Sequence, residues 1–435
     1  MTQHGPEATA GSGTGAAAPR PGRRRVVVTG MGAVTPLGIG VEVFWEHAVA
    51  GGSGIRRMTQ ADPSAYPCQV AGEVPDFDYT QFMDRKDGRR MARFSQFAVA
   101  AARMAIEQAA LDLDHLDRER VGVLLGNGGG GLPHDEEAMQ TLSTRGGLKV
   151  DPFYISKRLS NMAGGNVAIQ FGLLGYNNTV TTACAAGTQA IGDAVEVIRR
   201  GAADAMIAGG TEAGICELGL AGFSSMRALA SAHNGDPEHA SRPFDQDRDG
   251  FAPAEGAGVL VLEALEHALA RGATPLAEVI GYGAGADAAY LVAPADHGAG
   301  AARAMRAALR DAAIAPEAID YVSAHATATD VGDLAETEAI KAVLGERAHA
   351  VPVSALKSQI GHLLGGSGGV ETIAAIQTIR TGMVLPTLNL DHPGEGCDLD
   401  YVPHTSRRAD VRTALKNSFG FGGQNAVLVL RRYEE

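Results

Sequence analysis

Short runs of β-branched and aliphatic residues recur along this chain, with helical patterns filling the intervals between them. They are Val26-Val27-Val28-Thr29 closed by Gly30, Val121-Gly122-Val123-Leu124-Leu125, Ala205-Met206-Ile207-Ala208, Gly258-Val259-Leu260-Val261-Leu262, Ile319-Asp320-Tyr321-Val322-Ser323 and Ala426-Val427-Leu428-Val429-Leu430. Runs so short and so uniformly apolar read as strands buried on both faces. Strands of that kind alternating with helices predict an α/β fold whose sheets lie between layers of helices. The 57 glycines, many in clusters, add an expectation of tight turns and close backbone packing. A boundary near residue 275 divides the chain into two strand-helix halves, 25–275 and 276–435, although no sequence repeat is apparent between them. Residues 1–24, rich in Gly, Ala and Pro, are expected to be a disordered tail.

With 435 residues, 45% of them apolar and 20% charged, the chain can bury a large core. No run of about 18 apolar residues suggests a membrane span, and the start lacks an apolar leader segment, so a cytoplasmic protein is expected. A net charge of −13 argues against nucleic acid as a main partner. The cysteines, at 68, 184, 216 and 397, show neither the spacing of a zinc site nor the density of a disulfide scaffold. No metal is expected, and at least one thiol is free to react. Against the acidic background stands a basic island, Arg85-Lys86-Asp87-Gly88-Arg89-Arg90-Met91-Ala92-Arg93, with a smaller one at Lys157-Arg158. It reads either as a solvated helix face or as a dock for an acidic partner.

Candidate chemistry begins in Thr179-Val180-Thr181-Thr182-Ala183-Cys184-Ala185-Ala186-Gly187. A β-branched run ends just before Cys184, and Ile191, Ala194, Val195 and Ile198 then follow at helical spacing. Cys184 is thus expected at a strand-to-helix turn, where free amides and the positive helix end favour a thiolate and can hold an oxyanion. A small buried hydrophobe is the competing reading for any lone cysteine. His325 follows the strand 319–324, and His362 lies in Lys357-Ser358-Gln359-Ile360-Gly361-His362-Leu363-Leu364-Gly365-Gly366, ahead of a helix bearing Ile373, Ile376 and Ile379. Singly, each histidine reads as structural. Together with Cys184, three groups at strand ends or beside glycines read as one site.

These segments resemble the β-ketoacyl-acyl carrier protein synthases of the type II class, within the thiolase-like superfamily. The resemblance rests on Val27-Val28-Thr29-Gly30-Met31-Gly32, Thr182-Ala183-Cys184, Arg242-Pro243-Phe244-Asp245 with Arg248-Asp249-Gly250-Phe251, the His325 segment, Lys357 through His362, and Asn417-Ser418-Phe419-Gly420-Phe421-Gly422-Gly423. It covers nearly everything from Arg25 onward. It implies a duplicated five-layered α-β-α-β-α fold, a dimer, and substrates carried on the phosphopantetheine of an acyl carrier protein, with no other cofactor. By position, Cys184 takes the acyl chain, and His325 and His362 drive decarboxylation of a malonyl thioester. Lys357 supports the histidines and Glu336 steadies it, while Asp333 is structural. The resemblance further implies an oxyanion hole from the amides of Cys184 and Phe421, a pantetheine tunnel past Thr327 and Thr329, and an acyl pocket gated by Gly129, Phe223, Phe419 and Phe421. Carrier docking falls to Arg85, Lys86, Arg89, Arg90, Lys157, Arg158 and Arg227.

The chain departs from that family in several places. Gly129 stands where relatives carry a bulky aliphatic side chain, which should open the acyl pocket. Ala326, Ala328 and Asp330 replace the usual residues after His325, and Asp287-Ala288-Ala289-Tyr290-Leu291-Val292-Ala293 lacks the usual histidine and hydroxyls. With the Gln424-Asn425-Ala426 run, these differences suggest a polyketide ketosynthase, on a chain such as a rigid polyene, in a homodimer or beside a chain-length-factor-like subunit. The alternatives are a housekeeping fatty-acid elongation synthase, a non-catalytic partner subunit and a cysteine hydrolase. The last two leave Cys184, His325, Lys357 and His362 unexplained as a set.

Overall fold

The computed structural model describes residues 23–434. The expected tail therefore lies outside the described residues over 1–22. Arg23 and Arg24, counted with it, belong to the folded body, where Arg23 pairs with Glu196 and Asp311, and Arg24 with Asp204 and Glu266.

The main sheet is built from β1 (Val26–Thr35), β2 (Val121–Gly126), β3 (Asn177–Val180), β4 (Ala205–Glu212) and β5 (Gly256–Ala264), followed by β6 (Ala277–Ala286), β7 (Tyr321–Ser323), β8 (Val353–Ser354), β9 (Thr413–Gly420) and β10 (Gln424–Arg431). The six apolar runs all fall within or across these strands. In the first half β1 runs antiparallel to β5 and β5 antiparallel to β4, whereas β4 is parallel to β2 and β2 to β3. In the second half β6 is antiparallel to β10 and β10 to β9, whereas β9 is parallel to β7 and β7 to β8. The two halves repeat one pattern of order and direction. They join where β1 meets β6, through Val27 opposite Glu278 and Val28 opposite Ala277.

Five helices complete the layers: α1 (Arg93–Gln108), α2 (Ala186–Arg199), α3 (Ala299–Ala312), α4 (Asp330–Leu344) and α5 (Ser367–Thr381). Helix α1 covers the outer face of β1 and β5, and α3, with α4 beside it, covers β6 and β10. Between the two half-sheets lie α2 and α5, each packed against strands of both. This is the five-layered thiolase-like arrangement. Its three main apolar cores fill the spaces between α1 and the first half-sheet, around the central helices, and between the second half-sheet and α3 and α4.

A helix sandwiched between sheets has no solvated face, so a charge on it needs a buried partner. On α5 the side chains from Ser367 to Ile379 are all buried. The approach is close enough to demand glycine: a Cβ on Gly369 would stand 2.0 Å from the carbonyl oxygen of Gly258. Among the described residues no helix is long and apolar enough to cross a membrane.

Candidate active site

Strand β3 ends at Val180, and a tight turn over Ala183–Ala185 leads directly into α2. Ala183 takes a φ of +49°, an uncommon conformation for a residue with a side chain, and so lifts Cys184 to the mouth of the helix. Cys184 is only 7% exposed and faces a cavity of about 490 Å³. Burial pushes its thiol up to about 12, against the downward pull of Lys357 and of the amides of Phe421 and Cys184; Glu212 adds to the upward shift. This corrects the expected thiolate. In so dry a place desolvation outweighs the helix end, and the resting sulfur is protonated. The same two amides lie where an oxyanion hole is expected.

His325 follows the C-terminal end of β7, and His362 follows the short helix Lys357–Ile360. Their rings meet edge to face with centroids 5.5 Å apart, and both line the cavity with Cys184. The backbone amide of Leu364 donates to His362 Nδ1 at 3.3 Å, and Ser367 Oγ lies 3.0 Å from the same atom. An amide can only donate, so Nδ1 accepts and the proton sits on Nε2. That Nε2 is buried and has no partner in the protein. At His325 the ammonium of Lys357 stands 3.4 Å from Nδ1, which again assigns the ring proton to Nε2. Burial, followed by the nearby positive charge of Lys357, holds both imidazoles well below the ordinary histidine range. The site thus offers two neutral N–H donors beside a thiol.

The carboxylate that steadies Lys357 is Glu371 on α5, not Glu336. Glu336 instead accepts the amides of His325 (2.9 Å) and Ala326 (2.7 Å) and the side-chain amide of Asn417 (2.9 Å). It fixes the backbone that carries His325. Asp333 is buried and accepts the amides of Phe244 and Ala328.

The same cavity gathers Gly129, Phe223, Phe419, Phe421, Thr327, Thr329 and Arg227. The two threonine hydroxyls bond each other at 3.1 Å. Beneath Gly129 lies a residue the sequence reading missed. Glu212, at the end of β4, accepts the amides of Gly128 (2.7 Å), Gly129 (3.1 Å) and Gly365 (3.1 Å), tying the pocket loop to the loop that follows His362. A carboxylate closing an otherwise apolar strand was the available signal.

Arg85, Lys86, Arg89 and Arg90 are all exposed, and Arg90 lies over the ring of Phe153 at 5.3 Å. Lys157 and Arg158 do not join them as free cations. Lys157 pairs with Asp151 at 2.8 Å; Arg158 pairs with Asp135 and donates to the carbonyl of Gly129 at 3.2 Å. Local acids, invisible to a reading of the basic pair alone, engage both.

A buried thiol at a helix mouth, backed by amides and faced by two neutral imidazoles within a duplicated five-layer fold, defines an acyl-transferring condensing enzyme. The chain matches the N-terminal domain of beta-ketoacyl synthase over residues 23–268 and the C-terminal domain over residues 276–391, and it belongs to the β-ketoacyl synthase family. Among its relatives, a 3-oxoacyl-[acyl-carrier-protein] synthase 2 of Synechocystis is 49% identical over 95% of this chain and 99% of that protein. A Staphylococcus aureus protein of the same name is 46% identical over 94% and 99%. Of solved structures, a ketosynthase described with its type II polyketide acyl-carrier protein and a hexaketide is 36% identical, with a TM-score of 0.87 over 95% of this chain and 100% of that one. The ishigamide ketosynthase/chain length factor is 39% identical, with a TM-score of 0.87 and the same coverage.

Proposed function

We propose that this synthase extends an acyl chain held on Cys184 by decarboxylative condensation with a malonyl unit, both delivered on an acyl carrier protein, in polyketide assembly. The acyl group moves from the carrier's thioester to Cys184 Sγ, with the thiol proton passing to the departing carrier thiol. The malonyl thioester oxygen then accepts hydrogen bonds from Nε2–H of His325 and His362. As carbon dioxide leaves, the electron pair of the broken C–C bond becomes the enolate, whose negative oxygen those two donors stabilise. The enolate carbon attacks the acyl carbonyl, the amides of Cys184 and Phe421 hold the oxyanion, and the C–S bond breaks to release the β-ketoacyl chain and the Cys184 thiolate, which takes a proton from solvent to restore the thiol. The observation that carries this reading is the pair of buried, neutral imidazoles with free Nε2–H groups in the thiol's own cavity.

The polyketide assignment is supported by the bare wall at Gly129 and by the likeness to ketosynthases of polyketide systems. Housekeeping fatty-acid elongation is the second reading, favoured by the higher identity to the synthase 2 proteins. Profiling with saturated and polyketide acyl carriers separates the two, and Gly129→Ile tests the wall itself. Gly129 has an ordinary φ, and a Cβ built there meets only Glu212 Oε1, at 3.5 Å, so the backbone tolerates a side chain. Its added carbons enter the cavity, and such intrusion costs about 1–3 kcal/mol, or roughly 5- to 150-fold in binding. Long acyl chains are expected to load poorly and short ones nearly as before. An unchanged ranking of short and long acyl carriers removes Gly129 from the control of chain length.

The exposed Arg85, Lys86, Arg89, Arg90 and Arg227 suit an acidic carrier. Reversing charge at Arg89 and Arg90 is expected to raise the KM for carrier-bound substrate several-fold at low salt and to flatten its salt dependence, with little change for a small thioester mimic. Equal loss with the mimic assigns the island to structure. A second ketosynthase-like subunit, identical or chain-length-factor-like, is proposed against the outer edge of β3. That strand ends the sheet, and Ile155, Ile169 and Leu174 leave an exposed apolar surface near it.

A further inference from the structure

Lys416 has no part in the mechanism above, yet it is fully buried on β9 beside the catalytic groups. Its three N–H donors go to Thr188 Oγ1 at 2.9 Å, the carbonyl of Asn417 at 2.8 Å and Ser418 Oγ. Its ammonium also stands 2.8 Å from Oε2 of Glu371, whose other oxygen holds Lys357. With all three protons spent elsewhere, this last contact is electrostatic, and Oε2 receives no hydrogen bond.

One carboxylate therefore serves two buried ammoniums. Burying a charge without a full counter-charge is expensive, and an aliphatic side chain would fill the same space at less cost. The groups facing Lys416 are Glu371 on α5, Lys357 before His362, Glu336 on α4, Thr188 on α2 and the two imidazoles, whose proton affinity it helps to depress. The trio of Lys357, Glu371 and Lys416 by itself carries one net positive charge behind the histidines, and Glu336, whose oxygens accept the amides of His325 and Ala326, is a further buried carboxyl facing it.

We propose that Lys416 is a positioning residue for decarboxylation: it anchors Glu371 so that Lys357 stays on His325, and it supplies a buried positive charge towards which the enolate forms. This rests on the roles given above to His325, Lys357 and His362. Burial brings the Lys416 ammonium down to about 8, opposed by Glu371 and aided by Lys357. The sign follows: the charge is present at neutral pH and is lost as pH rises through that value, when the trio becomes neutral.

The test measures carbon dioxide release from malonyl-loaded carrier in a Cys184→Gln background, which removes both condensation and thiol titration. The parent is expected to lose rate as pH rises through about 8, the value at which burial releases the Lys416 proton. Lys416→Met is expected to be roughly tenfold slower at neutral pH, less than the 10²–10³-fold cost of removing a direct donor, and to lack that decline. Lys416→Arg keeps the charge and should recover most of the rate with the decline moved to higher pH. A parent profile that stays flat overturns the proposal whether or not the Met variant folds. A folded Lys416→Met enzyme with the parent's profile overturns it too, and so does an Arg variant no better than Met. His362→Ala in the same background tests the underlying reading separately: if it still releases carbon dioxide at the parent rate, the histidine assignment fails.

Discussion

Cys184→Ala is expected to form no acyl adduct and to lose condensation by about 10⁴-fold or more, because a covalent route has no second nucleophile to fall back on. Cys68, Cys216 and Cys397 are buried and lie outside the cavity that holds the histidines. The fold should survive. Cys184 sits in a short turn at the cavity wall, and alanine there removes only the sulfur, a change of about 1 kcal/mol. Intact-protein mass after incubation with an acyl carrier gives the answer directly, and an adduct on the Ala variant would remove Cys184 from its role. Cys184→Gln differs in kind. Its carboxamide occupies the place of a bound acyl carbonyl, so malonyl carrier should still lose carbon dioxide while no longer chain appears.

His362→Ala is expected to slow decarboxylation by about 10²–10³-fold, the usual cost of deleting one preorganised donor to a developing oxyanion. Acyl loading should suffer much less, since the amides of Cys184 and Phe421 remain. The variant also frees Ser367 Oγ and the Leu364 amide, both next to the cavity wall, where water can take over their bonds. Separate measurement of radiolabelled acyl transfer and of carbon dioxide release resolves the two half-reactions. Equal losses in both would mean that the histidine chiefly activates the thiol.

Much of this site was legible in the sequence because its groups stand at strand ends and glycine turns, where short-range pattern is strongest. Cys184, His325 and His362 follow from such local signals, and Lys357 from the family resemblance they carry. The choice of acid for Lys357 did not. Glu336 and Glu371 both lie on helices that follow a catalytic histidine closely in the chain, and only packing decides that α5 presents Glu371 to the lysine while α4 turns Glu336 toward the backbone of His325. Lys416 was readable in principle, since it interrupts an otherwise buried strand directly ahead of Asn417-Ser418-Phe419. The duplication was legible only through the family resemblance, because it resides in the directions in which β1 to β5 and β6 to β10 pair, and pairing directions impose no matching residues.

The central layer also ties catalysis to the order in which the chain can mature. Helices α2 and α5 stand at equivalent places in the two halves; one is entered through Cys184, and the other follows the loop of His362. Each needs the opposite half-sheet to cover its second face, so neither half made alone has a finished core, and an isolated first half would offer the apolar flank of α2 to any neighbour. During synthesis the nucleophile is made well over a hundred residues before its histidines arrive. Reactivity is thus withheld until β9 and β10 have docked, and a nascent or truncated chain carries a thiol with nothing beside it to put it to use.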